Sequence, residues 1–217
     1  MLIAFVGPDG AGKSTQIKRL AQNLRKKNRE VEILDKWQIL DPKLHPECRF
    51  ISTELDDLRV CIAEMEGPAR AFFLFWSIAL TTTRALTQHP ERILLADGYW
   101  MKHAAAELVY GCPPEVIEGC VRAFSPADAV FYFDISPQDA LARKQDRGLT
   151  QYECGRDEAL SHDEFLKHQH ALGGILRSWA GLHDWIRLDA TDAPERLEER
   201  IDKIIEDKLR RPRHAAG

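Results

Sequence analysis

Gly7-Pro8-Asp9-Gly10-Ala11-Gly12-Lys13-Ser14-Thr15 follows directly on the apolar run Leu2–Val6 and precedes a stretch whose apolar residues fall at Ile17, Leu20, Ala21 and Leu24. Residues 7–14 satisfy G-x-x-x-x-G-K-[ST] in full. The run before them reads as a strand, and the spacing after them reads as a helix from about Lys13 to Lys27. Each part of the pattern has a physical task. Glycines let the backbone wrap closely with its N–H groups turned inward on phosphate oxygens. The helix start adds the positive end of its dipole. Lys13 is expected to neutralise the β/γ-phosphates of a nucleoside triphosphate, and Ser14 to offer its hydroxyl to Mg²⁺. The cofactor-binding set is therefore Gly7, Asp9, Gly10, Ala11, Gly12, Lys13, Ser14 and Thr15. A glycine turn carrying a solvated lysine is the bland alternative. With glycine at about 7% of residues, a chance match in a chain this long arises on the order of once in a hundred.

Working outward, short apolar runs alternate with longer amphipathic stretches. Strands are expected at Val31–Leu34, Arg92–Ala96, Ala129–Ile135 and Trp185–Leu188. Helices are expected at Thr53–Glu66, Ala69–Gln88, Lys102–Tyr110, Pro114–Ala123, Asp163–Ala180 and Pro194–Leu209. Ser136 and Pro137 form an N-cap and first-turn pair for one more helix after the fourth strand. Residues 38–50 and 147–160 carry no clear period and read as loops. This alternation predicts an α/β fold: one five-stranded parallel sheet between helix layers, spanning residues 1–210, with 211–217 as a flexible tail. Ligands in such sheets sit at the carboxyl ends of the strands.

Composition narrows the function. The chain has 217 residues, 44% of them hydrophobic, enough for one sizeable core. A net charge of −4 argues against a nucleic-acid backbone as the main partner. The five cysteines form no C-x-x-C pair, which suits a reducing compartment rather than a disulfide or zinc scaffold. Ala71–Leu80 is well short of the ~20 apolar residues a bilayer span needs. No membrane partner and a cytoplasmic location are the expectations. His162, His168 and His170 do not share a helical face, so they read as surface residues rather than a metal site.

The loop, together with Asp97-Gly98-Tyr99 after the third strand and the segment FYFDISPQDALARKQDRG at 131–148, resembles the thymidylate kinase family of nucleoside monophosphate kinases. The closing Arg187-Leu-Asp-Ala190 is similar to that family's last strand. The resemblance implies a magnesium- and ATP-dependent transfer of the γ-phosphoryl group to a nucleoside monophosphate, and a homodimer as a possible assembly. It implies that Lys13, Asp9, Asp97, Arg143 and Arg147 form the catalytic set, and that Asp97 either organises the metal with Ser14 or takes the acceptor's proton. It further implies that Arg143, Arg147 and Arg156 lie at a lid over about 147–160. Because position 11 is alanine, the cation that stabilises the transferring group is expected from that lid.

The acceptor side departs from the family pattern. Gly98 stands where the family has an arginine that clamps the acceptor's phosphate, and Ala79 stands where it has an arginine that reads the base. Losing one such bond weakens binding about ten- to a hundredfold. Lys36, Arg49, Arg70 and Arg84 are candidate substitutes. The substrate set is Lys36, Trp37, Phe75, Gly98, Tyr99 and Trp100, with the rest of the aromatic run Phe72–Trp76 read as core. Two alternatives stay open on this evidence: a kinase of a nucleoside or another hydroxyl compound without a phosphate, and a nucleotide-binding regulatory protein without transfer activity.

Overall fold

The structure is a computed structural model that describes residues 1–48, 51, 53–144 and 148–210. Five parallel strands form one sheet: β1 (Leu2–Val6), β2 (Val31–Leu34), β3 (Ile93–Asp97), β4 (Ala129–Asp134) and β5 (Ile186–Asp189), in the order β2-β3-β1-β4-β5. The expected α/β fold is therefore what the chain adopts. The eight helices among the described residues are α1 (Lys13–Lys26), α2 (Leu55–Glu64), α3 (Pro68–Gln88), α4 (Trp100–Val109), α5 (Pro114–Val121), α6 (Pro137–Ala142), α7 (His162–Leu182) and α8 (Pro194–Arg210).

Alternate residues along β1 serve opposite cores. Ile3 and Phe5 pack with Leu20 and Leu24 of α1 and with Ile201 and Ile205 of α8. Leu2, Ala4 and Val6 pack on the other side with Ile78 of α3, Ala105 of α4 and Leu172 of α7. A strand covered on both faces needs apolar residues at every position, which is why these segments read as continuous apolar runs. Among the described residues no helix is long and apolar enough to cross a membrane.

The stretches without a period contain short structure. A 3-10 turn over Lys36–Leu40 is capped by Asp35, whose carboxylate accepts from the Trp37 N–H at 2.9 Å. A second one covers Pro46–Cys48, and a third, Gln151–Cys154, lies in the lid-like segment. These turns run for one turn or so, too briefly for a hydrophobic period to register. The Ser136 cap forms as expected, its hydroxyl accepting from the Asp139 N–H at 3.0 Å.

Candidate active site

The glycine loop leaves β1 in the centre of the sheet and runs into α1. Gly7 and Gly10 are required there by close approach. A Cβ at Gly7 would stand 2.6 Å from the Phe133 carbonyl oxygen, and one at Gly10 would stand 2.6 Å from that of Ala140. Gly12, at φ +86, supplies the left-handed turn that starts α1, and no acidic residue occupies the helix's first turn. The helix's own first turn thus adds no carboxylate that would compete with a phosphate.

Lys13 is buried and its ammonium donates to the carbonyls of Gly7 at 2.9 Å and Pro8 at 2.8 Å, which folds it back over the loop. Burial, and then the charge of Lys102, pull its pKa down to about 8 against the opposing pull of Asp9 and Asp97. The register Phe5↔Asp97 between β1 and β3 sets Asp97 at the mouth of the loop. The Ser14 hydroxyl donates to its carboxylate at 2.5 Å.

Asp9 is paired with Lys102 of α4 at 2.6 Å. Burial alone would raise its pKa, but Lys102, Lys13 and Lys144 outweigh burial and hold the carboxylate below its usual range. Arg143, at the end of α6, donates to the Ala190 carbonyl at 2.7 Å. Its guanidinium stands 3.9 Å from where a Cβ on Gly12 would be, so it lies across the loop from the β5 side. Lys144 beside it is ion-paired with Glu153.

These groups line a cleft of about 570 Å³ over the carboxyl ends of the central strands. It continues into a second compartment of about 350 Å³ bounded by Trp37, Ile62, Leu74, His103 and Tyr152. Lys36, Arg59, Lys102 and Lys144 border both. Lys36 rests its ammonium 4.5 Å from the centre of the Trp37 ring and has no ion-pair partner among the described residues. Burial, and then Lys102, lower its pKa to about 8.

Of the residues read from the sequence, Asp9, Gly10, Gly12, Lys13, Ser14, Thr15, Lys36, Trp37, Asp97, Gly98 and Arg143 converge on this cleft. Gly7 and Ala11 shape the loop from within the packed interior. Phe75, Tyr99 and Trp100 are placed elsewhere. Phe75 is buried with its ring edge-on to Phe124 at 6.0 Å. Tyr99 is buried and its hydroxyl donates to the Ser125 carbonyl at 2.9 Å. Trp100 begins α4 and packs near Trp179 at 6.5 Å, beside a different cavity.

Gly98 has φ +73, a conformation that strains any side chain, so the missing arginine belongs to a backbone turn this chain has adopted. Among the candidate substitutes, Arg70 is committed to a buried pair with Glu107 at 2.9 Å, and Arg84 to Glu47 at 3.5 Å. Arg156 is exposed at φ +72. Arg147 and Arg49 lie outside the described residues, as does the 211–217 segment.

Sequence reasoning missed Arg59, Lys102, His103, Lys144 and Glu153. For Lys102 and His103 a signal existed, since they lie one turn beyond Asp97 on the side of a helix that starts at the strand's carboxyl end. The other three reach the cleft only through tertiary packing.

No protein-family model matches the chain. A protein named probable thymidylate kinase from Sulfurisphaera tokodaii is 27% identical over 203 residues, 94% of each chain. Thymidylate kinase from an Exiguobacterium species is 24% identical over 217 residues, covering 95% of this chain and 94% of that one. A solved structure of deoxyadenosine kinase from M. mycoides superposes with a TM-score of 0.61 at 15% identity, over 95% of this chain and 100% of that one, a likeness of fold. Shared sequence along nearly the whole length, together with the glycine loop set on this sheet, makes the chain a homologue, at modest identity, of the thymidylate kinase-like P-loop nucleoside monophosphate kinases.

Proposed function

We propose that the protein transfers the γ-phosphoryl group of ATP to a nucleoside monophosphate, with Mg²⁺. The observation that carries this reading is the second compartment: beside the phosphate loop it offers Lys36, which among the described residues has no ion-pair partner, and Lys102, whose ion pair there is with Asp9. Cations that border this second compartment as well as the cleft suit an acceptor that brings its own negative charge. A nucleoside without a phosphate would leave them unanswered. Trp37 and Leu74 give the compartment the apolar surface a base needs, a role the sequence reading gave in part to Phe75.

Ser14 and Asp97 fit magnesium: a hydroxyl and a carboxylate on one spot are hard oxygen ligands. Among the described residues no group of three or more His, Cys, Asp or Glu could hold a metal by itself. That suits an ion completed by water and substrate phosphates. The ion would supply charge neutralisation on the β- and γ-oxygens.

The chain's own residues account for the rest. A phosphate monoester dianion carries no proton on its attacking oxygen at neutral pH, so the acceptor needs orientation rather than a general base. Asp9 is then a positioning group, fixing Lys102. Lys13 and Arg143 approach the transferring group from opposite sides of the loop, where charge on the equatorial oxygens is stabilised by fixed cations. The Gln151–Cys154 turn walls the acceptor compartment and limits water, the competing acceptor.

The test is incubation with Mg-ATP and a panel of nucleoside monophosphates. ADP and one diphosphate are expected, and Lys13→Ala is expected to reduce the rate by at least about a hundredfold. If no monophosphate supports ADP formation at millimolar concentration, the reading is wrong.

A further inference from the structure

His103 borders the acceptor compartment and takes no part in the proposed transfer. It sits in the first turn and a half of α4 and is only 2% exposed. Both ring nitrogens are buried, and neither has a hydrogen-bond partner among the described residues. A buried polar atom left unpaired is destabilising, and here two lie on one ring. Buried polar groups in folded proteins are nearly always satisfied, so a ring with two idle nitrogens beside a cavity points to a partner from outside the chain.

The ring borders both compartments, and its Nε2 lies 3.9 Å from where a Cβ on Gly98 would stand. It therefore occupies the neighbourhood into which a side chain at position 98 would project. Tyr152 flanks it, ring centre to ring centre 6.3 Å. Burial, and then the charges of Lys36 and Lys102, hold the imidazole in its neutral form. A neutral imidazole has one donor and one acceptor nitrogen. Between lysines, its donor suits an anionic oxygen.

We propose that His103, with its neighbour Lys102, binds the phosphate of the acceptor in place of an arginine at position 98, the imidazole N–H donating to a phosphate oxygen. The inference rests on reading the acceptor as a nucleoside monophosphate. The left-handed backbone at Gly98 excludes a strain-free arginine there, and the recognition task moves one turn along the chain to two consecutive residues. Lys102 supplies charge and His103 supplies direction. Lys102 stays oriented through its bond to Asp9, which leaves its remaining N–H groups for the ligand.

The experiment compares dissociation constants, by titration calorimetry, for nucleoside monophosphates and their matching nucleosides. Four ribo- and four deoxyribonucleotides serve as probes on the wild type, His103→Phe and His103→Gln. The wild type is expected to prefer the tightest monophosphate over its nucleoside. His103→Phe is expected to lose about tenfold or more of that preference, with nucleoside affinity unchanged, and His103→Gln, which keeps a neutral N–H, to recover part of it.

If His103→Phe keeps the full preference, or weakens nucleoside and monophosphate equally, the histidine does not read the phosphate and the inference falls. If the wild type itself shows no preference for any monophosphate, the underlying reading of the acceptor falls instead. Should the phenylalanine variant not fold, the wild type decides alone with histidine rings labelled by ¹⁵N. A His103 ring resonance that shifts with the monophosphate and not with the nucleoside supports the proposal, and one unmoved at saturation overturns it.

Discussion

Lys13 links the burial of one amine to a measurable exchange of protons. An ordinary lysine titrates at 10.5, whereas this one is brought down to about 8 by burial and by Lys102. Between those values the unfolded chain holds a proton that the folded chain has released. Folding stability from this group therefore rises with pH across the window, and below it the group contributes no pH dependence. A triphosphate on the loop reverses the balance, because its oxygens favour the ammonium form. Nucleotide binding near pH 8.5 is expected to take up roughly half a proton or more at Lys13. Calorimetric enthalpies measured in buffers of different ionisation heat should differ accordingly, and Lys13→Met should remove most of the difference. Enthalpies independent of buffer between pH 8 and 9.5 would show that the amine is already fully charged. The residue itself was legible from eight consecutive letters, because a phosphate loop is made by contiguous backbone. Its depressed pKa was not, since that depends first on burial and then on Lys102, both set only when the chain has packed around the loop.

At the scale of elements, a buried ion pair ties the acceptor wall together. Arg70 of α3 meets Glu107 of α4 at 2.9 Å, with both side chains almost wholly buried. The same guanidinium donates to the Met65 carbonyl and lies 4.1 Å from the centre of the Tyr110 ring. Tyr152, in the turn that covers the acceptor compartment, donates to Glu107 at 3.2 Å, and its own carbonyl accepts from the Tyr110 hydroxyl. Three segments distant in sequence thus meet at one carboxylate. Removing one partner of such a pair strands the other charge in the interior, which costs about 3–5 kcal/mol. Arg70→Met is expected to lower the urea midpoint by that amount of stability, while the double variant Arg70→Met/Glu107→Leu recovers a large part. A single variant with an unchanged midpoint would mean the pair is already solvated. Sequence reading offered Arg70 as a phosphate ligand, since periodicity places an arginine on a helix but cannot say which face has a carboxylate waiting. Tyr99 and Trp100 follow the same logic: loops after strands line the crevice, but here α4 begins at Trp100, directly after the turn, and both rings go into the packing.

On the scale of the whole molecule, the strand order explains both what could be foreseen and what the site can do. Parallel order with β1 central puts the carboxyl ends of β1, β3 and β2 side by side, so the loop, Asp97 and Lys36–Trp37 share one rim. The strands and the α/β class were readable because the three central strands β1, β3 and β4 are largely buried and read as apolar runs. The joining of two compartments was not, because Arg59, Lys144 and Glu153 come from three separate segments. If the compartments hold donor and acceptor at once, a single molecule with adenosine joined through a phosphate chain to the preferred nucleoside should fill both. The second binding event then becomes intramolecular, and affinity rises beyond that of either half. A hundredfold gain over ATP, compared at equal concentration well above both dissociation constants, adds about 2.7 kcal/mol of stability to the folded form. For a chain of this size that corresponds to a melting temperature about 5–10 °C above the ATP-bound value. Thermal unfolding followed by fluorescence would read it directly. A shift no larger than that of ATP alone would mean that the two compartments are not spanned by one ligand, and that the cations of the acceptor side answer to something other than a phosphate.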